Sequence, residues 1–320
     1  MTDGIIRSCL NLDGSKEREK GFYFDLANDN AFVEFNFQRG TSVDKLEAYL
    51  GRQVSDDEIE RAKAIPFSVD YVFCSVCESY FTEIESKFIA ETLPNFRNAN
   101  LSETEKIAFD AVKYIRLFFY LQVWRTSICD DTLKVSEDIS ENLRQIILNF
   151  KSINVSDLNH FPISVTYLET VGDEQEYTTN NVGYSSDTNP NLIFFNDFVI
   201  QFYENEDAIR YFDFYGLNNS ENFKELINCK EQKFLFNIFS NDKRKQFLNL
   251  FAAKNAKQLI NSYADFFAKL WLKRFGVYPP SQTTQEYLKT LVGDSDFHIL
   301  TYTKENIIEV TFKFLQDKIR

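Results

Sequence analysis

Residues 192–203 read Leu192-Ile-Phe-Phe-Asn-Asp-Phe-Val-Ile-Gln-Phe-Tyr203, and this stretch decides the fold class. Aromatic and β-branched side chains fill both halves of it, and such side chains suit the pleated surface of a β-sheet. Asn196-Asp197 separates the two apolar runs with turn-forming residues. We therefore predict a β-hairpin here, with Asn196-Asp197 as its turn and not as a binding site.

Similar patterns flank this hairpin. Apolar and polar residues alternate over Ile163–Tyr167, and residues 210–215 (Arg-Tyr-Phe-Asp-Phe-Tyr) are again aromatic, whereas 172–191 is polar and rich in turn formers. These features predict an antiparallel sheet over 155–217 with one long loop. After the sheet, helices are predicted at about 220–228 and at about 241–275, the second ending at Gly276. A further short helix and a helix at 305–319 follow.

The first half of the chain has helical periodicity after a short hairpin. Strands are predicted at 22–26 and 31–37, because apolar residues alternate with polar ones and the link between them is turn-forming. Ser102-Glu-Thr-Glu105 matches a capping box and predicts the start of a helix that runs to about Ile128, apolar nearly all round. Other helices are predicted at 42–50, from Ser55 to before Pro66, at 78–93 and at 137–150.

Together these patterns predict an α+β fold. The N-terminal half is mainly helical, with a β-hairpin and a Cys-x-x-Cys turn, and the C-terminal half combines an antiparallel sheet with long helices. The change in periodicity predicts two domains, at residues 1–153 and 154–320.

Composition limits the class of protein. The 320 residues carry a formal net charge of −13, which disfavours broad charge-driven binding to nucleic acid or anionic lipid but leaves room for a local basic patch. No apolar run reaches the ~18 residues that span a bilayer, and the first residues predict no secretory signal. The odd number of cysteines, five, favours reduced thiols, so we expect a cytoplasmic protein without membrane contact.

Cys74-x-x-Cys77 is the most specific local pattern. Two thiolates at this spacing can hold a zinc ion at about 2.3 Å each, and zinc needs further ligands, of which Cys9 is the best candidate in the sequence. A thiol at a helix N-terminus has a lowered pKa, so the pair also fits redox chemistry. A third interpretation is that the two residues are small apolar groups on a core-facing turn. The sequence leaves all three open, with zinc as the expected cofactor if the pair is a metal site.

The string Tyr71-Val-Phe-Cys-Ser-Val-Cys-Glu78 and the later Trp124-Arg125 resemble, in the same order, a zinc module of uncharacterised bacterial proteins related to HNH endonucleases. The resemblance covers residues 20–150. Such proteins begin with a Cys/His half-site and a histidine base, whereas residues 5–9 here contain Cys9 and no histidine. The resemblance therefore implies a copy that kept the scaffold and lost the hydrolytic chemistry.

Other candidate residues are few. Asp70, Glu85 and Lys87 can be fitted to the Asp…Glu-x-Lys spacing of metal-dependent nucleases, although Glu-x-Lys recurs by chance in a chain this charged, and a solvated charged face explains it as well. Two histidines, His160 and His298, are each expected to be structural. Trp124-Arg125 is expected to pack in the core or to anchor a helix end.

These observations favour a non-catalytic or regulatory interaction protein of a prokaryotic cytoplasm. The resemblance alone suggests a component of an antiviral defence or toxin-type system. The alternative is a metal-dependent nuclease with a structural zinc site. A protein partner is expected in the first case, and nucleic acid only through a local patch.

Overall fold

The computed structural model describes most of the chain from residue 72 onward. The described residues are 21–24, 33–36, 43–44, 47, 51–56, 72–129, 133–158, 161–169, 182–185, 190–195, 197–229, 233–293, 299 and 304–318. The α+β class is confirmed, because helices and a sheet share one structure.

Within these residues the main sheet has six strands in the order β3-β8-β4-β7-β6-β5, and a separate hairpin pairs β1 with β2. The strands are β1 (Gly21–Phe24), β2 (Val33–Asn36), β3 (Lys106–Phe109), β4 (Ile163–Leu168), β5 (Val182–Ser185), β6 (Asn191–Phe195), β7 (Phe198–Phe202) and β8 (Phe234–Phe239). The predicted N-terminal hairpin is confirmed, and β6 and β7 pair antiparallel up to Phe195 and Phe198, as the predicted second hairpin requires.

The sheet is mixed and not purely antiparallel, which corrects the prediction. Strand β8 runs parallel to β4, with Val165 opposite Phe236, while the other pairs are antiparallel. The alternation Phe234, Phe236, Ile238 marks β8 in the sequence, but no strand was predicted there. A parallel neighbour needs a long connection, and residues 203–233 supply it.

Of the helices of eight residues or more in the described part of the chain, the first three pack on one face of the sheet and the fourth begins on the opposite face. These helices are α1 (Ser75–Lys87), α3 (Val112–Cys129), α4 (Glu137–Leu148), α5 (Asn241–Phe275), α6 (Ser281–Val292) and α7 (Lys304–Asp317), and a short α2 (Pro94–Arg97) follows α1 after a π-helical turn. Helix α3 is buried along most of its length, as its apolar composition predicts. Its Phe118 and Phe119 pack with Phe88 from the π-helical turn and with Phe236 from the sheet.

The start of α3 differs from the prediction. The capping box at Ser102-Glu-Thr-Glu105 opens no helix, because Lys106–Phe109 forms strand β3 and α3 begins at Val112. Ile107 of β3 lies opposite Phe236 of β8. Taken alone, a four-residue segment with this pattern could form either a strand or a helical turn. Residues 106–109 form a strand because they pair with the edge of β8.

The opposite face of the sheet is covered by a loop and by the first turns of α5. Phe214 lies against Phe239 and Phe247, and it is 1% exposed. The predicted strand at 210–215 is therefore wrong: these residues form a loop over the sheet, in which Phe214 is buried and the other aromatic residues are partly buried. The helix predicted at 220–228 is a single 3-10 turn, Phe223–Leu226.

Helices α5, α6 and α7 build a second core. Phe267 of α5 stacks on Tyr287 of α6, with ring centroids 4.2 Å apart, and Phe314 of α7 closes on both rings. Helix α5 ends at Gly276, as predicted, whose positive φ of 75° forms a left-handed cap.

The main core crosses the predicted domain boundary. It joins residues of α1 and α3 to residues of β4, β7 and β8, so side chains from both sides of residue 153 pack together. The division at 153/154 stays a prediction. Within the described residues, no helix is both long enough and apolar enough to span a bilayer.

Candidate dithiol site

Cys74 and Cys77 lie at the N-terminus of α1. Cys74 is the N-cap residue, with extended backbone (φ −74°, ψ 158°), and its Sγ accepts a hydrogen bond from the Cys77 backbone N–H at 3.4 Å. The first helical bond runs from the Glu78 N–H to the Cys74 carbonyl at 3.0 Å. An N-cap side chain normally turns over the third amide of its helix, so this spacing brings the two sulfurs together.

The two Sγ atoms lie 3.3 Å apart, and neither is in a disulfide. Cys74 is exposed and Cys77 is half-buried at the rim of the main core. The interpretation of both residues as core-facing groups is therefore wrong for Cys74. The pair is an accessible dithiol in which one sulfur faces solvent and the other lies behind it.

The two thiols have opposite pKa shifts. The Cys77 N–H lowers the pKa of Cys74, and the hydrogen bond with the Cys77 thiol lowers it further. The same thiol–thiol bond raises the pKa of Cys77, with partial burial adding to it, and the guanidinium of Arg144 partly opposes this. Cys74 is thus the sulfur that ionises first.

Aromatic packing fixes the turn that carries the pair. Phe73, directly before Cys74, packs edge-on against Phe81 at 5.2 Å and lies 5.4 Å from Trp124. Trp124 is 5% exposed, so its packing role in the core is confirmed. The guanidinium of Arg125 lies over the rings of Phe73 and Phe81, at 5.8 and 5.3 Å.

Ion pairs complete this anchor. Arg125 donates to Glu85 at 2.9 Å and lies 3.8 Å from Glu78. The two strings that carried the resemblance, Cys-x-x-Cys-Glu and Trp-Arg, are therefore neighbours in space. This contact shows how α1 is held against the end of α3, and it does not by itself test the relationship.

The zinc prediction remains untested. Among the described residues, no three His, Cys, Asp or Glu side chains are grouped as a metal site would require, and Cys9, the expected third ligand, lies outside them. Two thiolates on one tetrahedral zinc would be separated by about 3.8 Å, from Zn–S bonds of about 2.3 Å. The observed 3.3 Å is somewhat shorter.

The residues fitted to a nuclease pattern are not seen together. Asp70 lies outside the described residues. Glu85 accepts a hydrogen bond from Arg125. The ammonium of Lys87 lies 3.9 Å from the ring centroid of Tyr114, and a side-chain hydrogen bond with Tyr114 raises the pKa of Lys87. His160 and His298 also lie outside the described residues.

The described cavities are small or shallow. An open groove of about 310 Å³ lies along α4, lined by Asn142, Gln145, Ile146, Asn149, Ile153 and Asp157. A cavity of about 20 Å³ lies under the loop layer, against Ser164, Thr166, Gln201 and Asn237. The second has room for one water molecule, and its polar lining accounts for the hydrophilic residues within β4 and β7.

Sequence reasoning missed an exposed apolar surface at the end of α5. Phe275, Val277 and Tyr278, called here the apolar tip, are 38%, 61% and 70% exposed. The signal was present in Trp271-Leu-Lys-Arg-Phe-Gly-Val-Tyr278, where basic and aromatic residues continue up to and beyond the helix cap. From that stretch the sequence analysis predicts only the end of the helix at Gly276.

Comparisons of the chain with protein-family models, with curated proteins and with solved structures gave no match.

Proposed function

We propose that the protein is a non-catalytic, regulatory interaction protein of a prokaryotic cytoplasm, and that it binds a protein partner through the apolar tip. The observation that supports this most is the exposure of Val277 and Tyr278, at 61% and 70%. Large apolar side chains grouped on a surface are typical of binding sites, whereas single scattered ones are not.

The local backbone holds the tip in one shape. Helix α5 ends at Gly276, whose N–H donates to the Leu272 carbonyl at 2.8 Å, and Pro279-Pro280 leads into α6. The Trp271 ring lies 4.3 Å from the Phe275 ring and supports it from below. The Phe275 ring is therefore held in place before binding, and a group that is already ordered loses little conformational entropy on binding.

Charge around the tip suggests the chemistry of the partner. Lys273 and Arg274 are exposed beside Phe275, in a chain whose net charge is −13. A locally basic, aromatic surface on an acidic protein complements a partner that offers apolar side chains within an acidic surround. Binding through Tyr and Arg side chains is common at the energetic centres of interfaces.

The biological role proposed for this interaction rests only on the resemblance to HNH-related proteins. It suggests an antiviral defence or toxin-type system in which a degraded nuclease-like module serves as scaffold. The alternative, a metal-dependent nuclease with structural zinc, requires cleavage of DNA or RNA in Mg²⁺, Mn²⁺ or Zn²⁺. A cleaving preparation whose activity is lost on substitution of acidic residues would favour that alternative.

The test is a binding measurement with a matched control. The partner that copurifies with the native protein is identified, and its Kd is measured by calorimetry for the parent and for Val277→Ser/Tyr278→Ser. We expect the double variant to weaken binding by about 30-fold or more, which corresponds to ~2 kcal/mol. Leu250→Ser, at a 42% exposed position in the first half of the same helix, should leave the Kd unchanged.

Two results would contradict the proposal. One is a purified monomer with no stable protein partner. The other is loss of single-stranded DNA or RNA binding in the double variant, measured by fluorescence anisotropy, because stacking on aromatic residues beside cations is also how nucleic acid is held.

A further inference from the structure

We propose that Cys74 and Cys77 form a reversible intrachain disulfide, with Cys74 as the attacking thiol and a low-molecular-weight disulfide as the oxidant. This inference is independent of the apolar tip and of the partner proposed for it. It selects redox chemistry from the interpretations that the Cys-x-x-Cys spacing leaves open.

The first observation that supports the proposal is the short distance between the two sulfurs. They are 3.3 Å apart and a disulfide bond is about 2.05 Å long, so bond formation needs an approach of about 1.3 Å. Both side chains start within one turn of the helix, and the N-cap position already directs Cys74 Sγ toward Cys77. Small side-chain rotations supply the approach.

Unequal exposure assigns the order of attack. Cys74 is exposed and can meet a solvent-borne disulfide, whereas Cys77 is half-buried behind it. Access is one of the factors that decide which thiol exchanges first. Cys77 is then placed to attack the sulfur of Cys74 from within the same turn.

The surrounding anchor keeps the turn in place while the sulfurs react. Phe73 is held between Phe81 and Trp124, and Arg125 joins α3 to Glu85 of α1. These contacts lie on the chain immediately before Cys74 and on the core side of α1. They involve neither sulfur, so they persist in both redox states and limit the rearrangement that oxidation requires.

The exchange balances in two steps. The Cys74 thiolate attacks one sulfur of R–S–S–R, forming a mixed disulfide and releasing RS⁻. The Cys77 thiol loses its proton to solvent and attacks the Cys74 sulfur, which forms the Cys74–Cys77 bond and releases the second RS⁻. Two protein thiols are oxidised by two electrons, and the small disulfide is reduced to two thiols that take up the protons.

The sequence makes the product easy to identify. Trypsin cuts after Lys63 and Lys87, so Cys74 and Cys77 fall on one peptide, residues 64–87, while Cys9, Cys129 and Cys229 each fall on separate peptides. The full-length protein is purified without chelator, its zinc content is measured, and it is treated with oxidised glutathione. Remaining thiols are alkylated before digestion and mass spectrometry.

We expect peptide 64–87 to lose both alkylation sites and to become lighter by two hydrogen atoms. Cys77→Ser should instead accumulate glutathione on Cys74, at least about tenfold faster than Cys74→Ser accumulates it on Cys77. Cys129→Ser, a matched removal of a half-buried thiol, should leave oxidation of peptide 64–87 unchanged.

Three outcomes would overturn the proposal. Peptide 64–87 could keep both alkylation sites, or its cysteines could cross-link to other peptides. Zinc could be present at one ion per chain and prevent oxidation until a chelator removes it, which would establish the metal site instead. The parent protein alone decides these outcomes, so a variant that fails to fold does not affect the conclusion.

Discussion

At the scale of single residues, a buried carboxylate is held by an ion pair that the sequence did not predict. Arg97, at the end of α2, donates to both carboxylate oxygens of Asp197 at 2.7 and 3.0 Å. The Asp197 side chain is fully buried and that of Arg97 is 14% exposed. The Asp197 carbonyl also accepts from the Leu168 N–H at 2.7 Å, so this pair ties the β6–β7 turn to α2 and β4.

Arg97→Ala should lower the free energy of unfolding by about 3–5 kcal/mol, because it leaves the Asp197 carboxylate buried without its counter-charge. Urea denaturation measures this. The control is Arg144→Ala, which breaks the exposed pair with Glu141 and should change stability little. The double variant Arg97→Ala/Asp197→Asn should recover part of the loss, since the unpaired charge is gone. A double variant no more stable than Arg97→Ala would refute this account.

A pH effect is expected at the exposed pair. The bidentate hydrogen bond from Arg144, aided by the Gln145 amide, lowers the pKa of Glu141 to about 2. A depressed pKa means that the pairing is complete above the ordinary glutamate range and is lost as the pH falls through about 2. Carboxyl NMR titration should show that Glu141 stays ionised well below the ordinary glutamate range and protonates near pH 2.

Two conditions test the cause of that shift. Arg144→Ala should return the pKa of Glu141 close to the ordinary value, and high salt should raise it in the parent by screening the pair. An unchanged pKa in Arg144→Ala would show that Arg144 is not the cause.

At the scale of elements, the sequence predicts best where local signals act alone. Helix α5 was predicted at its observed ends because a polar start and Gly276 lie on either side of it. Strand β3 and the loop at 210–215 were misjudged for the opposite reason. Whether Lys106–Phe109 pairs, or Phe214 lies over the sheet, depends on partners more than 100 residues and more than 20 residues away in sequence.

The candidate site follows the same rule. The Cys74–Cys77 spacing was visible in the sequence, since it is local, but its contact with Trp124 and Arg125 depends on how α1 docks on α3. The apolar tip was missed because composition does not distinguish an aromatic residue that packs, such as Phe267, from one that faces solvent, such as Tyr278.

The cap of α5 gives a test at this scale. Gly276 has φ of 75°, and a Cβ built there would meet no atom within 4 Å. Gly276→Ala should therefore cost only the backbone strain of a left-handed residue, about 1 kcal/mol, measured by thermal or urea unfolding. Gly276→Asn should cost less, because Asn tolerates this conformation. Equal losses in the two variants would mean that the cap conformation is not the cause.

At the scale of the whole molecule, α5 connects two cores. Its first turns place Phe247 and Leu248 against the outer face of the sheet, and its later turns place Leu259 and Phe267 in the core shared with α6 and α7. At 1.5 Å per residue, its 35 residues span about 52 Å. No glycine or proline interrupts it, so the helix should transmit unfolding of one core to the other.

The two tryptophans of the chain report on these cores separately. Trp124 lies in the core between the sheet and α3, and Trp271 packs against the core of α5–α7. Each of the variants Trp124→Phe and Trp271→Phe keeps one tryptophan, so its fluorescence reports on one core. The loss of stability that each substitution causes is measured by circular dichroism. After correction for this loss, we expect the two variants to give the same denaturation midpoint. Separate midpoints in these variants would show that the cores unfold independently and that the long helix does not couple them.

Lys257→Pro should separate the midpoints. Lys257 is exposed at the start of the second contact region of α5, next to the buried Ala256. The change removes no buried side chain, but an internal proline breaks a hydrogen bond of the preceding turn, which lies between the two contact regions, and clashes with that turn, at a cost of about 3 kcal/mol. Lys257→Ala is the control and should keep the transitions together. Coincident transitions in the proline variant would contradict this, because they would mean that contacts outside α5 couple the unfolding of the two cores.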